Sequence, residues 1–315
     1  MNPPQPRPAY CPPQVMLPVL EEEIKAPCRP QMGLARGDEA DWIAAGHLGL
    51  LPIRWALLEE RHEEVCAALP DTQTMGQEAL AMLVAHLVGR FPQRFSLQEA
   101  GGRLLDKATG SSHDLMAPSR HPLERAARLV AEDLCLLASA APDEPYRLVA
   151  ACVCFPSRWL LAHKIGQTLG AIHQPVPCYQ ERLAAPMDRF FARLRPGMIM
   201  RRTNWTIHDS AALCQPQPPP AVTPQVDCGQ FFVRSESQTL RRLPETGAIL
   251  FTILTRLCPL ADFLDEPTCA AALWQALDKL PAEVIDYRGL APYRDLLLEL
   301  LGGYRGPLTE IGTEA

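Results

Sequence analysis

The run YRLVAACVCF, residues 146–155, decides the fold class. It is almost unbroken in apolar character, short for a helix, rich in residues that suit a sheet, and stopped by Pro156, so it predicts a buried β-strand. Downstream, Ser157 is placed to cap a helix reaching about Leu169, with Gly170 suited to a left-handed C-terminal position. Further strands are predicted over residues 203–209, 231–236 and 248–257, and helix returns over 268–301. Upstream, residues 122–138 predict a helix with proline in its first turn, showing Leu123, Ala127, Val130, Leu134 and Leu137 to a core. Residues 74–89 form an amphipathic pattern, opened by a capping box of Thr74 and Gln77, and residues 94–106 predict a hairpin turning at Gly101-Gly102. The class that emerges is α+β: a mainly antiparallel sheet wrapped by helices.

At 315 residues the chain has room for two ordinary domains, or for one with large additions. Hydrophobic residues at 47% and charged residues at 21% exclude wholesale disorder, collagen and simple coiled coil. A formal net charge of −6 argues against nucleic acid as the main partner. The 11 cysteines form no paired CxxC units, which reads as mostly reduced thiols in a cytosolic protein and makes a zinc site improbable. The proline-rich start lacks a basic opening followed by a long apolar run, and no later stretch is apolar enough to span a bilayer, so cytoplasm and no membrane are expected. Proline clusters lie near the start and at QPQPPPAVTPQ, residues 215–225. The expected division is a disordered or extended N-terminus over 1–31, a folded domain over 32–302, and a tail over 303–315.

No GxGxxG, Walker loop, HExxH or GxSxG is present, which removes the usual support for dinucleotide, phosphate-loop, zincin and α/β-hydrolase chemistry. Two segments carry unusual polar content. In FPSRWLLAHKIGQTLGAIHQPVP, residues 155–177, His173 sits in apolar, proline-fixed backbone; a metal or haem iron needs such a fixed neutral imidazole, and the bland alternative is a hydrogen-bonded loop histidine. In RSESQTLRRLPETGAILFTILT, residues 234–255, Arg234 and Glu236 are two apart and share a strand face, so a guanidinium and a carboxylate can enter one pocket and serve an amine and an acid together. Arg241 and Arg242 suit carboxylates such as haem propionates, or else one pairs with Glu236 and the other is solvated. Arg189, Arg193, Arg195, Arg201 and Arg202 make either a docking surface for an acidic or redox partner or a solvated face. Trp159 and Trp205 line a pocket or belong to the core.

The ordered set FPSRW (155–159), KIG (164–166), IHQPVP (172–177), NW (204–205) and RSESQTLRRLP (234–244) resembles the haem-dependent oxidative N-demethylase alpha-subunit family, over about residues 32–301. That resemblance implies a PAS-like haem domain, an antiparallel sheet elaborated with N- and C-terminal helices. It also implies oxidation of a small secondary amine such as dimethylamine at haem b, with O2 and electrons from separate flavin and iron–sulfur reductase subunits, releasing formaldehyde. On this reading His173 is the axial iron ligand, with a thiolate from Cys152, Cys154 or Cys178 as rival. Arg241 and Arg242 neutralise the propionates, Arg158 or Lys164 assists, and Trp205 lines the cofactor pocket. Glu236, beside Arg234, holds the substrate ammonium or accepts its proton.

The chain departs from the family pattern twice. Leu254 stands where FTIRTY has arginine, with Arg256 two residues on and on the same strand face, and the usual ERQ reads Glu236-Ser237-Gln238. The alternative function is a non-catalytic haem- or ligand-binding PAS-like sensory module.

Overall fold

The computed structural model describes residues 9–25, 32–141, 144–217 and 228–304. Its centre is a seven-stranded antiparallel sheet in the order β1-β8-β9-β10-β6-β7-β2. The strands are β1 (Ala35–Gly37), β2 (Cys66–Ala68), β6 (Asp133–Ala138), β7 (Arg147–Cys152), β8 (Ile199–His208), β9 (Phe232–Arg242) and β10 (Ile249–Pro259). A three-stranded sheet holds β3 (Phe95–Gln98), β4 (Arg103–Asp106) and β5 (Ser111–Asp114). The α+β expectation holds, and the strand read from residues 146–155 is β7.

Because side chains alternate across a strand, register sorts the main sheet into two faces. On one, Leu134, Leu136, Ala150, Cys152 and Leu250 pack under the helix Gln73–Arg90, through Leu80, Leu83 and Leu87. Trp205, Ile207, Val233 and Cys258 continue this face beneath the helix Pro267–Lys279 and its C-terminal neighbours. The opposite face carries Met200, Arg202, Asn204, Glu236, Gln238, Phe251 and Ile253, all only partly buried. Its apolar end is covered by Leu161, Leu169, Phe191 and Leu194 from the stretch between β7 and β8.

Several expectations are corrected. The helix foreseen over 122–138 stops at Ala127, and residues 133–138 are instead a central strand whose six residues are all buried. A continuous apolar run fits either period, and pairing with β10 and β7 decides it. The helix foreseen after Ser157 is absent: the chain makes a short 3-10 turn at Leu161–His163, a left-handed turn at Gly166 (φ +77°) and a single turn at Leu169–Ile172. Thr168 caps that turn, Gly170 lies inside it, and Ser157 bonds His208. The helix near residue 74 begins at Gln73, and Thr72 at its start bonds back to the Leu69 carbonyl, so no Thr74 capping box forms. The hairpin at Gly101 (φ +92°) is present as β3–β4.

The segment expected to be extended over 1–31 is helical at Leu17–Lys25, where Met16 and Leu20 are buried against the C-terminal helices. Cys11 joins that cluster, and the backbone of residues 9–11 lies along β10. Most of the second proline cluster, and the tail beyond Tyr304, lie outside the described residues. The reading of the cysteines as thiols fails at one pair: β2 brings Cys66 opposite Cys152 on β7, Cα atoms 4.4 Å apart, and a disulfide joins them. No described helix is long and apolar enough to cross a membrane.

Candidate functional site

The half-buried face of the main sheet, the groove face, is bordered by the irregular stretch from Pro156 to Tyr179, whose Leu161 and Leu169 cover its apolar end. His173 ends the turn Leu169–Ile172, and its Nδ1 donates to the Leu169 carbonyl at 2.8 Å. The tautomer is thereby fixed, because a carbonyl can only accept, and Nε2 keeps its lone pair. The ring stacks on Tyr179, centroids 5.0 Å apart at 11°. Burial, together with the positive charges of Lys164 and Arg202, lowers the His173 pKa, so the imidazole is neutral at pH 7. Lys164 lies over Trp159 at 4.9 Å and reaches the Ile172 carbonyl at 3.5 Å; burial lowers its pKa as well.

On the groove face, Glu236 is 16% exposed. One oxygen accepts from Arg234 Nε at 3.3 Å and the other from Gln238 Nε2 at 3.2 Å. Arg202, on the neighbouring strand, feels the charge of Glu236, and burial lowers its pKa. Tyr287, half exposed, joins the same neighbourhood from the C-terminal helices: partial desolvation and the Glu236 carboxylate raise its phenol pKa. Arg202 is thus within electrostatic reach of Glu236 and Tyr287 on one side and of His173 on the other.

Other expected residues are used differently. Arg234 has a fully buried side chain and donates to the Leu213 and Phe155 carbonyls and to Thr255 Oγ1, so its guanidinium ties three segments together and only its Nε addresses Glu236. Arg241 and Arg242 point to opposite faces. Arg241 pairs with Glu39 at 2.7 Å and lies over Trp42. Arg242 donates to the Leu194, Gly247 and Phe191 carbonyls and to the Tyr146 hydroxyl. Both guanidinium groups are engaged by protein partners, and the Arg241 side chain lies on the face opposite Glu236. Trp205 is on the far face, donating to Glu23 beneath Arg288, and so does not line the groove. Arg158, held at φ +61°, reaches the Gly289 carbonyl and stands 3.6 Å from Asp209. Leu254 and Arg256 do share a face, but it is the one turned away from Glu236; Leu254 is core and Arg256 bonds Ser237.

The thiolate rivals also separate. Cys152 is in the disulfide; Cys154 is buried beside Arg54 and Asp133 with its pKa pushed up to about 12; Cys178 is exposed. Among the described residues no group of three or more His, Cys, Asp or Glu assembles to hold a metal ion. A porphyrin brings its own four nitrogens and asks the protein for one fixed axial donor, an apolar bed and cations at its acidic edge. His173 offers the first, Trp159, Ile165, Ile172, Met200 and Phe251 the second, and Lys164 a cation for the third, so the donor set fits that group.

Arg202 was legible only as one of a cluster of arginines, and Tyr287 not at all. Their approach to Glu236 depends on the β8–β9 register and on a C-terminal helix, and neither leaves a local signal in sequence. The sequence model of the family described as haem-dependent oxidative N-demethylase, alpha subunit-like, matches residues 46–298, most of the chain and all of the groove. The chain belongs to the haem-dependent oxidative N-demethylase alpha-subunit-like family.

Proposed function

We propose that this protein binds haem b in the groove and removes an N-methyl group oxidatively from a small secondary amine. The observation that carries the reading is His173: a tautomer-locked, neutral imidazole whose Nε2 makes no hydrogen bond among the described residues, at the rim of a half-buried apolar bed. On this reading the domain works as a PAS-like one would, receiving its ligand on one face of the antiparallel sheet under irregular helical cover. Haem, when bound, supplies oxygen activation. The balance is one N-methyl amine, O2, two electrons and two protons giving the demethylated amine, formaldehyde and water. The electrons come from a separate reductase with flavin and iron–sulfur centres.

The chain's own residues handle the amine. A secondary amine is an ammonium at neutral pH and has no lone pair to offer until it loses a proton. Glu236, fixed by Arg234 and Gln238, is the anion that attracts the ammonium and the base that accepts that proton. Lys164 faces the propionates, and Tyr179 holds the His173 ring in orientation. The test is hemin titration followed by the absorption spectrum, oxidised and then reduced under carbon monoxide. Stoichiometric uptake with an imidazole-type spectrum is expected, lost or shifted in His173→Ala. A chain that takes up no hemin, or a His173→Ala spectrum identical to wild type, overturns the assignment.

A further inference from the structure

Arg202 on β8 and Glu236 on β9 face the same side of the sheet. In the β8–β9 register Arg202 lies opposite Gln238 and Asn204 opposite Glu236, so the two charges are diagonal neighbours, with Cβ atoms about 7–8 Å apart. Opposite charges at that spacing on long side chains ordinarily close into an ion pair. These do not. Glu236 is drawn aside, one oxygen to Arg234 and the other to Gln238, while among the described residues Arg202 makes no hydrogen bond or ion pair and its buried Nε has no acceptor. Of the nearby cations, Arg288 is bonded through one nitrogen to Glu23, and Arg234 to two carbonyls. A desolvated guanidinium nitrogen without an acceptor is costly, and a ligand oxygen relieves that cost.

A guanidinium held open beside a carboxylate held back is a receptor for a molecule carrying both opposite charges close together. We infer that the substrate is an N-methylated α-amino acid, its carboxylate received by the Arg202 fork and its secondary ammonium by Glu236. The inference rests on the groove being the substrate site. An α-amino acid places its two charged groups on either side of one carbon, a span suited to the interval between diagonal side chains. A simple dialkylamine satisfies Glu236 alone and leaves Arg202 without an acceptor. Arg202 is thereby the residue that sets specificity, and Asn204, between the two strands' charges and half-buried, is positioned beside the bound molecule.

The experiment is calorimetric titration of the full chain, before and after hemin loading, with N-methylglycine and with dimethylamine. N-methylglycine is expected to bind at least about tenfold more tightly, the worth of one charge-assisted contact. Arg202→Gln is expected to abolish that preference, weakening N-methylglycine binding far more than dimethylamine binding; Glu236→Gln weakens both. Arg202→Lys, which keeps the charge without the fork, recovers part of the preference and serves if the glutamine variant melts early. Equal affinity of the wild type for the two ligands overturns the inference. So does an Arg202→Gln protein whose hemin uptake falls while N-methylglycine binding stands, because the carboxylate at Arg202 is then a porphyrin propionate. A wild type that takes up no hemin but still prefers N-methylglycine sinks the haem reading alone.

Discussion

The two faces of the main sheet solve opposite problems. On the helix-covered face Leu134, Leu136, Trp205, Ile207 and Val233 are at most 1% exposed, and apolar burial is the whole story. On the other, Arg202, Asn204, Glu236, Gln238, Phe251 and Ile253 remain partly open, and charged groups stand beside one another without neutralising each other. The contrast runs along single strands: Ser235 and Arg234 are adjacent, yet one faces the packed side and the other the groove side. Stability is concentrated on one surface of the sheet, and the other is left free to bind.

The groove face is itself divided, and the sharpest way to break the comparison is at its buried end. Arg234→Met leaves the Leu213 and Phe155 carbonyls without donors and is expected to cost about 3–5 kcal/mol, read as a loss of denaturant midpoint. Arg202→Gln, on the same face but unpartnered, is expected to change the midpoint by less than about 1 kcal/mol. Comparable losses for the two would erase the distinction between structural and ligand-facing arginines. On the covered face, Leu136→Ala removes a fully buried side chain and is expected to cost ~2–5 kcal/mol by thermal melts, without altering ligand affinity.

Titration separates the regions further. His208, buried near Arg234 and Arg158, has its pKa lowered from 6.5 to about 3. The unfolded chain takes up this proton near pH 6.5 and the folded chain only near 3, so stability falls as pH drops through that window, by on the order of a few kcal/mol. His208→Gln is expected to flatten the acid limb of a melting-temperature profile. A profile unchanged by that substitution removes His208 as the source.

Glu132 works in the other direction. Burial raises its pKa from 4.5 to about 7, and one carboxyl oxygen has no partner. The folded state holds a proton that the unfolded chain gives up near 4.5, so the stabilising contribution is full below that value and is lost as pH rises to 7. Glu132→Gln, which cannot ionise, is expected to gain about 1–3 kcal/mol at pH 8 relative to pH 5. An equal change at both pH values would show that Glu132 is not the titrating group.

How much of this was legible follows the range of the interactions. The strand at 146–155 and the helix near residues 74–89 were readable because their apolar patterns differ over a few residues. The run at residues 133–138 was misread because six buried positions carry no period, and only its neighbours β10 and β7 make it a strand. Glu236 and His173 were singled out from their setting; Glu236 lies on the half-buried face of the sheet and His173 ends the turn Leu169–Ile172. The surroundings of Arg241, Arg242 and Trp205 were not legible. Their side-chain direction was set by strand parity, and their partners Glu39, Leu194 and Glu23 come from distant segments that no local motif announces.

The pairing of β1 with β8 ends at Arg201, so beyond it the outer side of β8 has no strand beside it among the described residues. That side is closed by the Tyr287–Gly289 corner, whose Arg288 carbonyl takes a bond from Thr206 and whose Gly289 carbonyl takes one from Arg158. The C-terminal helices therefore act as a cap on a bare ribbon of amide donors and acceptors. A chain cut before residue 281 would present that ribbon to other chains, and self-association through strand addition is the failure to watch for.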